Sequence, residues 1–445
     1  MSAGPTLDEL ADDLASSRTT SSQLVGECLE RATDGSGEGA AAFVSIDRDG
    51  AGQAAGGWDA LRAAGAEPTR FAGIPVSVKD LFDVRGQRTG AGSAFFDRGT
   101  AELDSPAVAA LRRAGLVTIG RTNMTEFAYS GVGINPQLGT PANPWDRPNH
   151  RVPGGSTSGG AVSVSDGMAH AALGSDTGGS CRIPAALCGL TGLKPSQDRI
   201  SRVGMVPLSP SLDAVGVIAR SVSCCATLEA LLRGASAPSL RPLTRAPRLA
   251  VPRSYFLEEA EQTVLADFER TLAQLADEGA ECAEVEMPEL GQIPDLNADG
   301  GLPAAESYAW HHSLIQEHAA EYDPRVLARI RRGERQSARG LLDLRRRRER
   351  FAASVEARLR DFDAFVCPTV PILAPPLAAF EDDDEYNRLN LLLLRNPTVV
   401  NLFGGCAISV PMHDQAGPPT GLMIAATGGE DDQLLRIAAW VEERL

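Results

Sequence analysis

Short apolar segments with the pattern of buried strands alternate with amphipathic helical segments, and this alternation constrains the fold of the chain most strongly. Residues 73–80 (GIPVSVKD) and 116–120 (LVTIG) have the pattern of strands, and residues 105–115 (SPAVAALRRAG) have that of a helix ending at Gly115. Helices and strands that alternate in this way pack as layers, with the helices against a buried sheet. The pattern therefore predicts an α/β fold.

The alternation continues through the second half of the chain, so both halves are expected to contribute strands to the sheet. Capping boxes that begin at Thr6 and Thr20 predict two helices near the N-terminus. No internal repeat and no long linker interrupts the 445 residues, which favours one compact unit. Beyond residue 220 the patterns predict helices over 221–233, 258–278, 303–321, 337–360 and up to Leu445, and strands over 248–252, 281–287, 363–371, 406–412 and 421–427.

Charge and cysteine usage exclude several classes of protein. Asp and Glu number 58 against 42 Lys and Arg, a net charge of −16, so nucleic acid is not an expected partner. The N-terminus is acidic and no apolar stretch approaches about 18 residues, which predicts a cytoplasmic protein without a membrane partner. The eight cysteines form neither a C-x-x-C pair nor a Cys/His zinc spacing, so we expect reduced thiols and no metal site.

Lysine is almost absent from the chain. Among the 42 Lys and Arg residues, Lys79 and Lys194 are the only lysines. Burial can neutralise a lysine and turn it into a base, whereas arginine stays protonated. A lysine that persists in an apolar strand, as Lys79 does, is therefore a candidate general base.

The stretch from residue 153 to 194 carries two Gly-Gly-Ser turns, separated by a segment with the pattern of a helix and a short strand. The turns end at Ser156 and Ser180. Glycine allows a substrate to approach the main-chain N–H groups closely, as an oxyanion hole requires. A serine presented on such a turn is a candidate nucleophile.

Other interpretations of this stretch fit its residues less well. The glycine spacing of 154–159 is that of a phosphate-binding loop, but the lysine that should follow is missing. The DTG at 176–178 has no second copy, which an aspartic protease needs, and no serine here lies in a G-x-S-x-G or S-x-x-K motif. His170 lies in an apolar segment and is expected in the core. A flexible linker is disfavoured because apolar, helix-like residues follow the first turn.

Segments along nearly the whole chain resemble one family. They are GIPVSVKDLFDV (73–84), GRTNMTEF (120–127), NPWD (143–146), PGGSTSGG (153–160), GSDTGGSCRIPAALCGLTGLKPS (174–196), PLSPSLDAVGVIARSV (207–222), CPTVPILAPP (367–376), NLFGGCAISVP (401–411) and PTGLMIAAT (419–427). In these segments the chain resembles the amidase signature hydrolases. The resemblance implies that family's fold, a large mixed β-sheet covered by helices on both faces. It also implies a single amidase domain over 1–445, with N-terminal helices in 1–60, a signature core in 70–222, and further strands and pocket helices in 223–445.

The family uses a Ser-cisSer-Lys triad, and the resemblance assigns its roles to matching residues here. Lys79 would be the base, Ser156 the bridging serine after a cis peptide bond, and Ser180 the nucleophile. Since Lys79 must be neutral, its pKa would have to fall by about 3 units, and burial among the apolar residues of its strand could cause this. The implied oxyanion hole consists of the main-chain N–H groups of Thr177, Gly178, Gly179 and Ser180. The supporting residues would be Gly155, Thr157, Asp176, which would organise the loop, and Arg182, which we expect to pair with Asp176 rather than bind substrate.

The implied reaction is hydrolysis of a carboxamide C–N bond through an acyl-enzyme on Ser180, which releases ammonia or an amine and a carboxylate. No metal and no cofactor is implied, and the expected partner is a small-molecule amide. A homodimer is expected from the resemblance alone. Three alternatives stay open: the A-type glutaminase subunit of a tRNA-dependent amidotransferase complex, a hydrolase of ureido amides such as allophanate or biuret or of esters, and an inactive scaffold.

Overall fold

The sheet that the sequence predicts runs through the whole molecule. The structure is a computed structural model that describes residues 4–237, 240–414 and 417–445. Its strands lie in the order β1-β3-β2-β4-β6-β5-β10-β11-β9-β7-β8 in one sheet. The strands are β1 (Phe43–Ile46), β2 (Pro75–Lys79), β3 (Val117–Thr122), β4 (Ala172–Asp176), β5 (Thr191–Lys194), β6 (Ala214–Ala219), β7 (Arg248–Val251), β8 (Glu281–Glu284), β9 (Ala364–Pro368), β10 (Cys406–Pro411) and β11 (Gly421–Ala426).

The helices agree with the predicted segments where the apolar pattern is periodic. Both N-terminal capping boxes form, at Thr6 and at Thr20. The helices are α1 (Leu7–Ala15), α2 (Ser21–Ala32), α3 (Gly39–Ala42), α4 (Arg48–Ala63), α5 (Pro106–Arg113), α6 (Ser158–Ser165), α7 (Arg182–Leu187), α8 (Val222–Leu232), α9 (Gln262–Asp277), α10 (Ile293–Leu296), α11 (Gly301–His318), α12 (Pro324–Arg331), α13 (Ala338–Leu359), α14 (Asp383–Phe403) and α15 (Asp431–Glu442). The sequence patterns did not predict α3, α4, α7, α10, α12 and α14.

Strand pairing is mixed, as the resemblance implies. Strands β3, β2 and β4 are mutually parallel, and so are β9, β7 and β8. The neighbours between these two groups pair antiparallel, from β4 through β6, β5, β10 and β11 to β9. Strands from both halves of the chain therefore form one sheet, as the sequence predicts.

Helices cover both faces of this sheet, which confirms the predicted architecture. Side chains alternate along β11, so Leu422 and Ile424 pack in one apolar cluster with Leu434 of α15. Met423, between them, packs in a second cluster with Phe351 of α13. An alternation with a period of two places these residues on opposite faces, and both faces are buried. Within the described residues no helix is both long and apolar enough to cross a lipid bilayer.

The edge of the sheet where β2 and β4 end brings the serine-rich segments together. These strands are parallel neighbours, with Ser77 opposite Ala172, so their carboxyl ends lie at the same edge. Lys79 is the last residue of β2 and Asp176 the last of β4. The loop that carries Ser156 leads into α6 beside them. This edge is where residues distant in sequence meet.

Candidate functional site

Lys79 is buried completely at the end of β2, and its amine contacts two hydroxyls. Its Nζ lies 2.7 Å from Ser156 Oγ and 3.0 Å from Ser175 Oγ, and donates a hydrogen bond to each. Burial lowers the pKa of Lys79 from 10.5 to about 8, although nearby acidic groups oppose the shift. The amine is thus much closer to neutrality at ordinary pH than an exposed lysine, in the direction that the sequence analysis expects.

Ser156 is held by backbone contacts on both sides. The Gly155–Ser156 peptide bond is cis, as the resemblance implied. The Gly155 N–H donates to the Gly131 carbonyl at 2.8 Å, and the Ser156 carbonyl accepts from Thr125 N–H at 3.2 Å. A Cβ at Gly155 would lie 2.6 Å from the backbone nitrogen of Gly133, so only glycine fits there. The segment therefore presents the Ser156 hydroxyl to Lys79 from a tightly packed backbone.

Thr157 joins this segment to the loop that carries Ser180. Its N–H donates to the Ser180 carbonyl at 3.2 Å. The Ser180 residue is 3% exposed and lines a cavity. Within the described residues no hydrogen bond joins the hydroxyls of Ser156 and Ser180, so the structure brings Lys79 and Ser156 into contact but leaves the bond between the two serines unmade.

The Asp176 carboxylate organises the loop before Ser180, as expected. It accepts hydrogen bonds from the N–H groups of Gly179 at 2.8 Å and Cys181 at 3.1 Å. It also forms a fully buried salt bridge of 2.8 Å with Arg182, as predicted for that arginine. Burial alone would raise the pKa of Asp176, but the positive charge and hydrogen bonds of Arg182 outweigh it and hold the pKa at about 2. Asp176 is therefore a permanent anion that fixes the loop.

The hydrogen bond from Gly179 narrows the set of oxyanion donors expected from the sequence. The Gly179 N–H is already donated to Asp176, so it is not free for a substrate oxygen. The N–H groups of Thr177, Gly178 and Ser180 have no acceptor among the described residues. Of the four N–H groups expected to bind a substrate oxygen, three therefore lack a protein acceptor among the described residues, and the fourth, that of Gly179, holds the loop in shape.

A cavity of about 180 Å³ opens in front of Ser180. Leucines from the loop before β6 and from α14 form apolar walls, and asparagines and arginines supply polar groups. The volume is below the roughly 300–1,000 Å³ usual for drug-sized ligands, so the cavity suits a small molecule. Its lining residues include Thr177, Gly178, Ser180, Leu208, Leu212, Asn297, Arg329, Arg332, Asn387, Asn390, Leu394 and Thr398.

The second lysine takes a structural position, and so do His170, which precedes β4, and Cys181, which follows Ser180. Lys194 is also buried and burial lowers its pKa to about 8, but its Nζ donates to the adjacent Pro195 carbonyl at 2.8 Å. Burial lowers the pKa of His170 to about 4 and raises that of the Cys181 thiol to about 12. Within the described part of the chain no cluster of three His, Cys, Asp or Glu residues could hold a metal ion.

Sequence reasoning missed two residues that contact the site. Ser175, like Ser156, accepts a hydrogen bond from the Lys79 amine. Its position beside Asp176 in the second serine-rich segment could have indicated this contact. Asn401 donates to Asp176 Oδ1 at 3.2 Å and accepts from Arg182 Nη2 at 2.6 Å. Asn401 begins the segment 401–411 that resembles the family, but the segment did not show its role, which depends on how α14 crosses the end of the sheet.

Comparisons with known proteins agree on one family. The sequence profile described as Amidase matches residues 23–435. A 2-amino-5-chloromuconic acid deaminase from Comamonas testosteroni is 35% identical, over 90% of this chain and 88% of its own length. The A-type subunit of a glutamyl-tRNA(Gln) amidotransferase from Roseiflexus sp. (strain RS-1) is 33% identical, over 89% of this chain and 87% of its own. A crystal structure described as an amidase superposes with a TM-score of 0.90 at 32% identity, and the match covers 99% of this chain and all of that one.

Proposed function

This chain belongs to the amidase family and hydrolyses amide C–N bonds, and we propose that it does so through an acyl-enzyme on Ser180. The observation that carries the proposal is the 2.7 Å contact between a fully buried Lys79 amine and Ser156, in a site that also places Ser180 at a cavity. A hydroxyl needs a base to attack an amide carbonyl, and a desolvated lysine is a suitable base.

Acylation begins when Ser180 Oγ attacks the carbonyl carbon of the substrate. Its proton passes to Ser156, which both accepts and donates, and the Ser156 proton passes to neutral Lys79. When the tetrahedral intermediate collapses, the C–N bond breaks and the same proton returns through Ser156 to the departing nitrogen. Ammonia or an amine leaves, and the acyl group stays on Ser180 as an ester.

Deacylation repeats these steps with water. A water molecule attacks the ester carbonyl, Lys79 takes its proton through Ser156, and the C–O bond to Ser180 breaks. The proton returns to Ser180 Oγ, and the product leaves as a carboxylic acid that ionises to the carboxylate by releasing its proton to water. The N–H groups of Thr177, Gly178 and Ser180 are the proposed donors to the oxyanion in both steps.

The proposal requires the Ser180 hydroxyl to turn toward Ser156 when substrate binds. Hydrogen bonds between catalytic groups are often long or unmade without substrate and tighten in the reactive complex. The backbone link from Thr157 N–H to the Ser180 carbonyl, at 3.2 Å, supports this, because it keeps the two loops adjacent.

Replacement of the proposed nucleophile tests the mechanism. Ser180→Ala should lower kcat for amide hydrolysis by more than about a thousandfold, measured as ammonia release. Ser158→Ala is the matched control, since its buried hydroxyl has no hydrogen-bond partner among the described residues. Intact mass spectrometry of the wild type with excess substrate should detect an acyl adduct that Ser180→Ala lacks. Turnover by Ser180→Ala at the wild-type rate would refute the mechanism.

The proposal includes activity of the chain alone, in a reducing cytoplasm. All eight cysteines are free thiols, and seven of them are buried, which supports a reducing compartment. Ammonia release by the purified chain would support independent activity, whereas glutaminase activity that depends on a second protein would favour the amidotransferase alternative. The homodimer and the question of ureido or ester substrates stay predictions, which sedimentation and a substrate screen would test.

A further inference from the structure

The cavity in front of Ser180 contains positive charge without an acidic partner. Arg329 and Arg332 both line it, and no Asp or Glu does so among the described residues. The chain as a whole carries a net charge of −16, so a cationic cavity is a local exception. Neither arginine forms a salt bridge to any described carboxylate, whereas Arg325, one turn earlier on α12, pairs with Asp383 at 2.7 Å.

Arg329 is held in place by two contacts, and one of its two terminal amino groups has no hydrogen-bond acceptor among the described residues. Its Nη1 donates to the Tyr129 carbonyl at 3.2 Å, and its guanidinium lies 4.9 Å from the centre of the Tyr386 ring. The residue is 7% exposed, and its Nη2 is buried without an acceptor in the part of the chain that the structure describes. A buried charged donor without an acceptor is unfavourable, so a ligand that supplies an acceptor there gains binding energy.

A third group in the cavity, the side-chain amide of Asn390, is also a hydrogen-bond donor. Asn390 Oδ1 accepts from Ser130 Oγ and from Gly131 N–H, both at 2.9 Å. Since the oxygen is occupied by these donors, the Asn390 amide offers its NH₂ group to the cavity. Two guanidinium groups and an amide donor form a set that matches a carboxylate.

We propose that the substrate is a short amide with a carboxylate on its acyl chain, bound by Arg329, Arg332 and Asn390 while its amide carbonyl reaches Ser180. This inference rests on the proposed function of Ser180. The cavity of about 180 Å³ limits the acyl chain to a few carbons, and its leucine walls suit methylene groups. An amide with an additional ammonium group is disfavoured, since no carboxylate among the described residues lines the cavity to pair with it.

The test compares three amides of similar length: glutaramate, which carries one carboxylate, pentanamide, which is neutral, and glutamine, which carries both charges. We expect kcat/KM for glutaramate to exceed that for pentanamide by about 10- to 100-fold, the range of a charged hydrogen-bonded contact. Glutamine should be hydrolysed less efficiently than glutaramate. Equal or better hydrolysis of pentanamide would overturn the inference and leave the amidase mechanism intact.

Substitutions of single arginines test which residue causes the preference for glutaramate over pentanamide. Arg332→Met, at an exposed position, should remove most of the preference for glutaramate over pentanamide, and Arg329→Met should act in the same direction. Arg331→Met is the matched control, because it removes the same charge from the residue next to Arg332, at the end of α12, but does not line the cavity. A loss of preference in Arg331→Met equal to that in Arg332→Met would contradict the inference, since a general field of the helix would then explain it.

A binding measurement separates this inference from the catalytic proposal. Calorimetry with Ser180→Ala should detect glutaramate binding that weakens at least about tenfold when Arg332→Met is added. If no amide is hydrolysed but this dependence on Arg332 holds, the mechanism fails and the carboxylate site stands. If amides are hydrolysed but glutaramate binds no better than pentanamide, the carboxylate site fails and the mechanism stands.

Discussion

The Nζ of Lys79 lies 2.7 Å from the hydroxyl oxygen of Ser156, and neither side chain is exposed to solvent. Burial makes the charged ammonium unfavourable, and the two hydroxyls of Ser156 and Ser175 are neutral partners that compensate for the lost water only in part. The amine is therefore held where a hydroxyl can exchange a proton with it, with a pKa of about 8.

The first prediction concerns the pH dependence of the reaction. Because the neutral form of Lys79 is the proposed base and its pKa falls from 10.5 to about 8, activity should be present above pH 8 and decline as pH falls below it. We expect kcat/KM to fall about tenfold per pH unit on the acid side, measured with pentanamide because its charge does not change. A rate that declines between pH 7 and 9 would instead require the ammonium form and contradict this role.

The two lysines provide the second prediction. Both are buried, and burial lowers the pKa of each to about 8, but only Lys79 contacts Ser156. Lys79→Met should lower kcat by about 10²- to 10⁴-fold, the usual contribution of a general base. Lys194→Met, the matched variant, should keep kcat within a few fold. Ammonia release and urea unfolding should be measured for both, and equal losses of kcat at equal stability would show that the contact with Ser156 is not decisive.

The sequence predicted those parts of the molecule whose signal is local. The apolar run in 421–427 and the apolar repeat in 258–278 predicted β11 and α9 within a few residues of their observed bounds. The two glycine-rich turns and Lys79 indicated which segments of the chain would form the candidate site. Strand 281–287 was predicted three residues too long, since the exposed edge strand β8 ends at Glu284.

The part of the cavity wall that α14 and the two arginines form could not be predicted from local signals of this kind. Helix α14 contains Pro397 in its interior and is buried along much of its length, so it has no clear polar face. A start signal was present, because Asp382 is its N-cap and acidic residues fill its first turn. Arg329 lies in the last turn of α12 and Arg332 directly after it, and nothing local shows that these arginines face a serine far earlier in the chain.

The third prediction concerns the buried pair of Asp176 and Arg182. Asp176→Asn leaves the Arg182 charge buried without its partner and should destabilise the fold by about 3–5 kcal/mol in urea unfolding at pH 7. Since the pKa of Asp176 is about 2 in the folded protein and 3.8 ordinarily, the wild type keeps this advantage above about pH 4 and loses it as pH falls toward 2.

An exposed salt bridge provides the control for this pair. Asp97 pairs with Arg88 at the surface, and Asp97→Asn should change the free energy of unfolding far less than Asp176→Asn does. Similar losses in the two variants would mean that burial does not set the strength of the Asp176 pair.

The fourth prediction concerns Gly179, whose N–H holds Asp176 and whose backbone shapes the loop before Ser180. Its φ is +125°, and a Cβ there would lie 2.6 Å from Pro397 Cβ, so alanine requires both strain and a displacement of α14. Gly86→Ala separates the two effects, since Gly86 has a φ of +82° with nothing within 4 Å of its Cβ position. We expect Gly86→Ala to cost about 1–3 kcal/mol of stability without loss of kcat, whereas Gly179→Ala loses kcat for pentanamide by more than about tenfold even where urea unfolding shows it fully folded. Wild-type turnover by a folded Gly179→Ala would show that the loop can shift without disturbing the donors to the oxyanion.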